Sequence, residues 1–277
     1  GVESMTRAPW VVPKPAAGFP RNDETLHSTT LGWRMVNPRM PDDWTIRLAE
    51  GAELLADRFQ ISREDQDRFA LASHSKALVA WDSGRFDDEV VRLDEAPLVR
   101  DESIRPDTSA EALAALRPIV RPDGTVTAGN ASPLNDGASA LLLADEATVN
   151  RLDAMPLARM AGRGVAANEP PLFGIAPVAA AEAALKRAGI GWSDLAVVEL
   201  NEAFASQALA CLAGWPDLDP TIVNPNGGAL AIGHPLGCSG ARILTTLAWE
   251  LRRRGGGWGL AAICIGVGQG LAVVLEA

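Results

Sequence analysis

Residues 224–240 read NPNGGALAIGHPLGCSG, and this glycine-rich stretch decides the fold class of the chain. It lies between a predicted strand at Thr221–Val223 and a predicted helix at Ser239–Arg254, for which Ser239 is the expected N-cap. Its glycines let the backbone approach a ligand closely and adopt positive φ. Because the stretch has neither a GxGxxG nor a GxxxxGKS/T pattern, we do not expect a nucleotide phosphate there.

Strands and helices alternate around this stretch in the C-terminal half of the chain. The predicted strands are Leu157–Ala161, Leu195–Leu200, Leu260–Ile265 and Leu271–Leu275, and the predicted helices between them are Ala176–Ala188 and Glu202–Leu212. This alternation indicates an α/β layer domain over residues 151–277. In such sheets, ligands bind at the carboxyl ends of the strands.

The N-terminal half is less regular. Apolar residues at helical spacing predict a helix over residues 47–59, and Ser62 is the expected N-cap of a second helix that stops near Gly84. Short strands are predicted at Glu89–Leu93 and Thr125–Ala128.

The composition excludes several classes of protein. The chain has 277 residues, 47% of them hydrophobic, and a formal net charge of −10, which argues against sequence-independent nucleic-acid binding. No apolar run is long enough for a membrane helix. The 3 cysteines lack CxxC spacing, which indicates a reducing compartment, and we expect a cytoplasmic protein. Nor does any His, Cys and Asp cluster have metal-ligand spacing.

A polar pair, Asn201 and Glu202, occurs where a predicted buried strand ends and a helix begins. The end of a strand in an α/β sheet is a natural position for a ligand-binding residue. The alternative interpretation is that Asn201 only caps the following helix.

Two further segments are candidates for catalysis. His234 lies in the glycine-rich stretch before a helix, and Cys264 ends a predicted strand that enters the glycine turn GVGQG. Backbone N–H groups in such a turn can form an oxyanion hole. Each residue also has a purely structural interpretation. His234 would be a histidine of the core, and Cys264 would carry an inert buried thiol. Cys238 is assigned to packing at the start of its helix, and Cys211 to the apolar face of another helix.

Five ordered motifs together resemble the thiolase family: GVESMTRAPW, TVTAGNASPLNDGA, NEAF, NGGALAIGHPLG and CIGVGQG. The resemblance implies the thiolase fold, in which two α/β cores of layered helices and sheets carry a loop domain that shapes the coenzyme A pocket. It assigns residues 1–131 to the loop domain with its leading segment, 132–150 to the last part of the first core, and 151–277 to the second core.

The resemblance also implies an acyltransferase that cleaves a 3-oxoacyl-CoA with CoA, or runs the reverse condensation. His234 would activate the nucleophile, and Cys264 would move a proton at the α-carbon. Asn201 would hold a water in one oxyanion hole, and the Gly266 amide would contribute to the other. The residues that match the coenzyme A site are Ser132 and Phe204, along the pantetheine tunnel, and Arg105, near the nucleotide end. We expect CoA or acyl-CoA as substrate, no tightly bound cofactor and no metal, and a homo-oligomer, either a dimer or a tetramer.

The sequence departs from the family pattern in three places. The acylated cysteine that precedes GVESM in relatives does not occur here, so we expect it in a segment upstream of Gly1 and expect this chain alone to be inactive. Pro133 replaces a common glycine, and Leu48 stands where relatives have Met or His-Met. The segments TLGWRMVNPRM and RPDTSAEALAALRP look most like 3-oxoadipyl-CoA thiolases. The alternative function is a non-catalytic module that binds CoA esters or a partner protein.

Overall fold

A computed structural model describes residues 1–94 and 98–277. The helices are α1 (Leu48–Phe59), α2 (Arg63–Asp82), α3 (Ala110–Ala114), α4 (Glu146–Leu152), α5 (Ala176–Ala188), α6 (Ala205–Ala213), α7 (Ala229–Ile232) and α8 (Leu236–Arg253). The strands are β1 (Val2–Glu3), β2 (Trp10–Val11), β3 (His27–Ser28), β4 (Gly137–Ala138), β5 (Arg159–Ala167), β6 (Leu195–Leu200), β7 (Trp258–Ile265) and β8 (Gln269–Glu276). None of the described helices is long and apolar enough to cross a membrane.

A four-stranded sheet organises the C-terminal half. Its strand order is β5-β8-β7-β6, with β6 parallel to β7 and the other neighbours antiparallel. The β7–β8 hairpin turns at the glycine-rich segment, where Cys264 pairs with Gly270. On the outer side of β6, Val223 forms a parallel bridge with Val198. The carboxyl ends of β6 and β7 therefore lie at the same edge of the sheet.

Helices cover both faces of this sheet. Helix α5 packs on β5 and β8, and a Cβ at Gly164 of β5 would lie 1.8 Å from the carbonyl oxygen of Ala180. Only glycine lets the strand and helix approach this closely. Helix α8 covers the opposite face, where Ile243, Leu247 and Leu251 are buried in one apolar cluster. The result is the helix–sheet–helix layering that the alternating pattern predicts.

The N-terminal half wraps the carboxyl edge of the sheet with helices and loops. Ser62 caps α2 by accepting a hydrogen bond from the Asp65 N–H, as predicted. Helix α2 contacts α7, and α1 contacts α6. The short β1–β4 pair lies beside the first turn of α8, where the Gly237 N–H donates to the Glu3 carboxylate over 3.1 Å. The loops of residues 1–150 thus enclose the end of the sheet that carries the candidate site.

Four local predictions were wrong. Residues Glu89–Leu93 form no strand, because the Val90 N–H donates back to Phe86 and closes a turn. In Thr125–Ala128, only Thr127 forms a bridge, to Pro118. The strand predicted at Thr221–Val223 is mostly a 3-10 helix, Pro220–Ile222, which Asp219 caps. Helix α8 begins at Leu236, so Ser239 lies inside its first turn and is not its N-cap.

Candidate active site

Asn201, the residue after β6, and Cys264, near the end of β7, lie at the carboxyl edge of the sheet. Leu200 pairs with Ala262 in the parallel β6–β7 register, and the Asn201 N–H donates to the Ala262 carbonyl over 2.9 Å. Paired strands are about 4.8 Å apart, so the register places Asn201 beside the last residues of β7. These two sequence-predicted residues are therefore brought together by the backbone.

The side chain of Asn201 is fully buried and has no hydrogen-bond partner at either amide atom. Leaving a buried polar group unpaired costs about 1–3 kcal/mol, so such a group calls for an ordered water or a ligand. The N-cap of α6 is Phe204, and the cap has no side-chain hydrogen bond, so the interpretation of Asn201 as a helix cap is wrong. The amide is free to hold a water or to bind substrate.

The Cys264 thiol is buried beside Phe173, Ala203 and the partly buried Phe204. Burial raises its pKa to about 12, because a thiolate would lose its hydration there. The group is therefore a neutral thiol at pH 7. In this form it can deliver a proton to a carbanion that develops next to it.

The turn that follows Cys264 carries the Gly266 amide. A Cβ at Gly266 would lie 3.4 Å from Trp33 Cζ2 and 3.5 Å from Leu48 Cδ2, so Trp33 and α1 cover the turn. Val267 has a φ of 65°, which is rare and strained for a β-branched residue. Such strain is often concentrated at functional turns.

His234 is held by the helix that follows it. Its Nδ1 lies 2.6 Å from Oγ of Ser239, and the same Oγ lies 3.0 Å from the carbonyl oxygen of Pro235. The single hydroxyl proton of Ser239 is donated to this carbonyl, so Nδ1–H of the imidazole must donate to Oγ. This pattern leaves a lone pair on Nε2, which is the state that a general base needs.

The charge state of His234 agrees with that role. Burial, together with the nearby Arg242 guanidinium, lowers the pKa of the imidazole to about 4. The ring is therefore neutral at pH 7 and can accept a proton from a thiol. From their positions at the strand ends, we expect His234, Asn201 and Cys264 to lie within a few ångströms of one another. In the described part of the chain no hydrogen bond joins His234 to Asn201 or Cys264, and this expectation stays a prediction.

Glu202 ties the His234 loop to the sheet and to α2. Its carboxylate accepts from Ser73 Oγ over 2.6 Å, from Asn224 Nδ2 over 2.7 Å and from the Leu230 N–H over 3.2 Å. A Cβ at Gly228 would lie 2.2 Å from the Glu202 carboxyl carbon, so the loop passes directly over this group. Gly228 in the sequence is consistent with this close approach, but no sequence pattern identifies Ser73 as a hydrogen-bond partner of Glu202.

Ser132 and Phe204, which the resemblance assigns to the pantetheine tunnel, lie next to one another. The Ser132 N–H donates to the Ala203 carbonyl over 3.0 Å, and Ala131 forms an antiparallel bridge with Phe204. The loop that contains Ser132 is thus pinned to the start of α6. Pro133, which departs from the family pattern, sits in the same loop.

A cavity of about 360 Å³ extends from this loop towards Arg105. Apolar residues form one side of its wall, and polar residues form the other side. The lining residues are Ala112, Leu113, Leu116, Ala128, Gly129, Ala131, Pro133 and Leu230, with His74, Ser103, Arg105, Asp107 and Thr108 on the polar side. Ser132 and Phe204 flank the cavity but do not line it. His74 was missed by the sequence interpretation because its position on α2 shows no motif.

The other two cysteines are buried in packed parts of the structure, where their side chains have a structural role. The Cys211 thiol donates to the Gly174 carbonyl over 3.2 Å, and burial raises its pKa. Cys238 is buried in the first turn of α8, where its sulfur lies 3.6 Å from the position of a Cβ at Gly137. Within residues 1–94 and 98–277, no group of three or more His, Cys, Asp or Glu side chains is arranged to hold a metal ion.

Comparison with known proteins identifies the family. A family model described as the thiolase N-terminal domain matches residues 1–147, and one described as the thiolase C-terminal domain matches residues 154–277. The chain belongs to the thiolase family. The resemblance inferred from the five motifs is thereby confirmed. The division at residues 131 and 150 stays a prediction, since the two family models divide the chain once, between 147 and 154.

The thiolases most similar in sequence include enzymes named for a dicarboxylic acyl chain. The chain is 48% identical to the β-ketoadipyl-CoA thiolase of Pseudomonas putida and 46% identical to the 3-oxoadipyl-CoA/3-oxo-5,6-dehydrosuberyl-CoA thiolase of Escherichia coli. In each case the match covers 100% of this chain and 71% of the relative.

Solved thiolase structures share the fold. The human mitochondrial 3-ketoacyl-CoA thiolase in complex with CoA superposes with a TM-score of 0.89 at 40% identity, covering 100% of this chain and 69% of that one. The acetyl-CoA acetyltransferase of Bacillus anthracis gives a TM-score of 0.90, also at 40% identity, over 100% and 70% of the two chains. The predicted thiolase fold is therefore confirmed.

Proposed function

We propose that this thiolase cleaves 3-oxoadipyl-CoA, or a similar 3-oxoacyl-CoA, with free CoA to give acetyl-CoA and a shortened acyl-CoA. The names of the most similar relatives support the substrate class. The observation that carries the chemistry is the buried, unpartnered amide of Asn201 beside the Cys264 end of β7. A binding module would have no chemical use for Asn201, His234 and Cys264 together.

In the first half of the reaction, a thiolate attacks the C3 carbonyl of the 3-oxoacyl chain. The C2–C3 bond breaks, its electron pair passes to C2 as the enolate of acetyl-CoA, and the acyl group remains on the attacking sulfur. Nε2 of His234 would take the proton from the attacking thiol. The neutral thiol of Cys264 would give its proton to C2, which completes acetyl-CoA.

In the second half, the Cys264 thiolate would take the proton of the free CoA thiol, and the CoA sulfur attacks the acyl thioester. The bond between the acyl carbon and the carrier sulfur breaks, the shortened acyl-CoA is released, and the protonated His234 would return its proton to the carrier thiolate. The oxygen of the thioester gains negative charge in each half and needs hydrogen-bond donors. A water held by Asn201 would supply a donor in one oxyanion hole, and the Gly266 N–H would supply a donor in the other. Ser132 and Phe204 would guide the pantetheine arm, with Arg105 at the nucleotide end.

We infer that none of the three cysteines carries the acyl group. Cys264 cannot be acyl carrier and proton donor in one step, and the Cys211 and Cys238 thiols lie in structural packing with raised pKa values. The acyl carrier would then come from a segment that this sequence does not contain. We further propose that the enzyme is a cytoplasmic homo-oligomer.

The deciding experiment compares the 277-residue chain with the full-length product of its gene. CoA-dependent cleavage of 3-oxoadipyl-CoA and of acetoacetyl-CoA is measured for both. We expect cleavage by the full-length product, faster with 3-oxoadipyl-CoA, and none by the shorter chain. Turnover by the shorter chain that is abolished in C238S would show that the acyl carrier is wrongly assigned. CoA binding by the full-length product without cleavage of either substrate would favour the non-catalytic module.

A further inference from the structure

Arg242 is a largely buried cation on α8 that takes no direct part in the reaction. Its side chain is 18% exposed, and its Nη1 lies 3.8 Å from Oε2 of Glu199. That distance is too long for a hydrogen bond. Among the described residues, neither Arg242 Nη1 nor Glu199 Oε1 has a hydrogen-bond partner. A loosely paired guanidinium is unusual inside a protein, because buried charges are normally held in hydrogen-bonded ion pairs.

The position of Arg242 on α8 puts it between the catalytic loop and a carboxyl group. Ser239, Arg242 and Thr246 are spaced three and four residues apart, so they lie along one face of the helix. At one end of this face, Oγ of Ser239 lies 2.6 Å from Nδ1 of His234. At the other end, Oγ1 of Thr246 donates to Oε1 of Glu89 over 3.2 Å. Arg242 is thus one helical turn from the residue that holds the catalytic imidazole.

The carboxyl groups around Arg242 do not cancel its charge at neutral pH. Those that feel its charge are Glu89, Asp101, Glu199 and Glu202. Burial raises the pKa of Glu199 to about 8 and that of Glu89 to about 7, and it also raises the pKa of Glu202. Asp101 is exposed, so water screens its charge. Glu199, which is closest to the guanidinium, is therefore mostly a neutral acid at pH 7.

The charge of Arg242 reaches His234. The segments around the His234 loop also carry other ionisable groups, namely Glu3, Asp136, Glu202, Cys238 and Cys264. In the described part of the chain, however, only burial and the Arg242 guanidinium lower the pKa of the imidazole. A positive charge nearby disfavours a second positive charge on the ring. Arg242 therefore opposes the protonation of His234 without touching the substrate.

We propose that Arg242 is a positioning residue for thiolysis, whose guanidinium, left uncompensated by the protonated Glu199, keeps the His234 imidazole neutral and its Nε2 free to accept the thiol proton. The proposal rests on the proposed function, since it takes His234 as the base. The imidazolium that forms when the carrier thiol loses its proton is then a strong acid. It readily returns this proton to the carrier thiolate in the second half of the reaction.

Nitrogen-15 NMR titration of His234 in the 277-residue chain tests the electrostatic effect. Arg242→Gln removes the positive charge, and we expect the pKa of the imidazole to rise by about one pH unit. Arg242→Lys keeps the charge, and Glu199→Gln imitates the protonated acid, so each should leave this pKa within about half a pH unit of its original value. An unchanged His234 pKa in a folded Arg242→Gln variant would overturn the proposal.

The pH profile of thiolysis by the full-length product tests the role in catalysis. In Arg242→Gln, the acidic limb of the kcat profile should move to higher pH together with the His234 pKa, and the KM for CoA should stay within about twofold. Arg242→Lys should restore the original profile. A purely structural defect would lower kcat at every pH and leave the limb in place, which would contradict the proposal.

The two measurements separate the possible failures. If the unaltered full-length product cleaves no 3-oxoacyl-CoA, the proposed function is wrong, and with it the catalytic role of Arg242. The NMR titration needs no turnover, so an unchanged His234 pKa there refutes only the effect of Arg242.

A double variant covers the case in which Arg242→Gln does not fold. Arg242→Met combined with Glu199→Leu replaces the pair with apolar side chains of similar size, a change that folded proteins often tolerate. The pKa of His234 should rise in this variant as it does in Arg242→Gln. A His234 pKa that stays at about 4 would overturn the proposal.

Discussion

Oγ of Ser239 lies 2.6 Å from Nδ1 of His234 and donates its own proton to the Pro235 carbonyl. The hydroxyl therefore selects which imidazole nitrogen carries the proton. A serine five residues from the histidine can do this only because α8 starts at Leu236 and brings its first turn back over the ring. The catalytic state of His234 is thus a property of the loop–helix junction.

Replacement of Ser239 by Ala should lower the kcat of thiolysis about tenfold in the full-length product, with little change in the KM for CoA. Without the hydroxyl, the imidazole can protonate on either nitrogen, and the fraction with a free Nε2 lone pair falls. Steady-state kinetics measures the split between kcat and KM, and nitrogen-15 NMR reports the tautomer. Ser75→Ala is the matched control, because Ser75 also donates to a carbonyl four residues earlier, that of Leu71. An unchanged tautomer in S239A would contradict the assignment.

Cys264→Ala should reduce thiolysis by the full-length product about 1,000-fold while the Kd for CoA stays within twofold. The loss reflects removal of a general acid, whose contribution is typically 100- to 10,000-fold. Product formation is followed by the loss of 3-oxoacyl-CoA absorbance, and CoA binding by calorimetry. Cys211→Ala removes another buried thiol, and it should lower stability with little effect on kcat. Comparable turnover in C264A and the unaltered enzyme would remove Cys264 from the mechanism.

Glu199→Gln should make the stability of the chain less dependent on pH. Glu199 is buried on β6, and its nearest cation, Arg242 Nη1, is 3.8 Å away. Burial, which outweighs the opposing charge of Arg242 and is assisted by the neighbouring Glu89 and Glu202 carboxyls, raises the pKa of the Glu199 carboxyl to about 8. Between about pH 4.5 and pH 8, the unfolded chain has lost this proton and the folded chain still holds it. The free energy of unfolding therefore falls as pH rises through this range.

Denaturant unfolding at pH 5 and pH 8 measures this effect. The original chain should lose stability over this interval, and Glu199→Gln, which has no proton to release, should lose on the order of a few kcal/mol less. Glu276→Gln is the control, since Glu276 pairs with Arg159 at the surface and should not alter the slope. Equal pH dependence in all three proteins would show that Glu199 is ionised in the folded chain throughout the interval from pH 5 to pH 8, and would contradict the raised pKa.

Gly164→Ala should destabilise the folded chain by about 3 kcal/mol or more. The new Cβ would lie 1.8 Å from the carbonyl oxygen of Ala180, so α5 would have to move away from β5 and lose apolar contacts. Thermal and denaturant unfolding give the change. Gly191→Ala meets only Asp194 Oδ2, at 3.8 Å, and should change stability by less than about 1 kcal/mol. Similar stability of the two variants would mean that the strand and helix are less closely packed than described.

The sequence by itself determined the local elements and the family. Periodicity and caps predicted α1 and α2, and the predicted helix Ala176–Ala188 coincides with α5, because these signals act within one turn of backbone. Apolar runs located β6 and β7, and their ends placed Asn201 and Cys264 at one edge, because parallel neighbours align their carboxyl ends. The five motifs identified a thiolase before any contact between them was known.

Only the tertiary structure decided how these residues are paired. Ser73 meets Glu202 across 129 positions of sequence, and His74 meets Arg105 across 31. The unpartnered amide of Asn201 likewise follows from what surrounds it. No rule based on neighbouring residues predicts these contacts. They depend on how helices and loops that are distant in sequence pack against one another, and no periodic pattern in the sequence marks such pairs. Local backbone energetics determined the elements, and burial in the assembled fold determined which polar groups are left free to act.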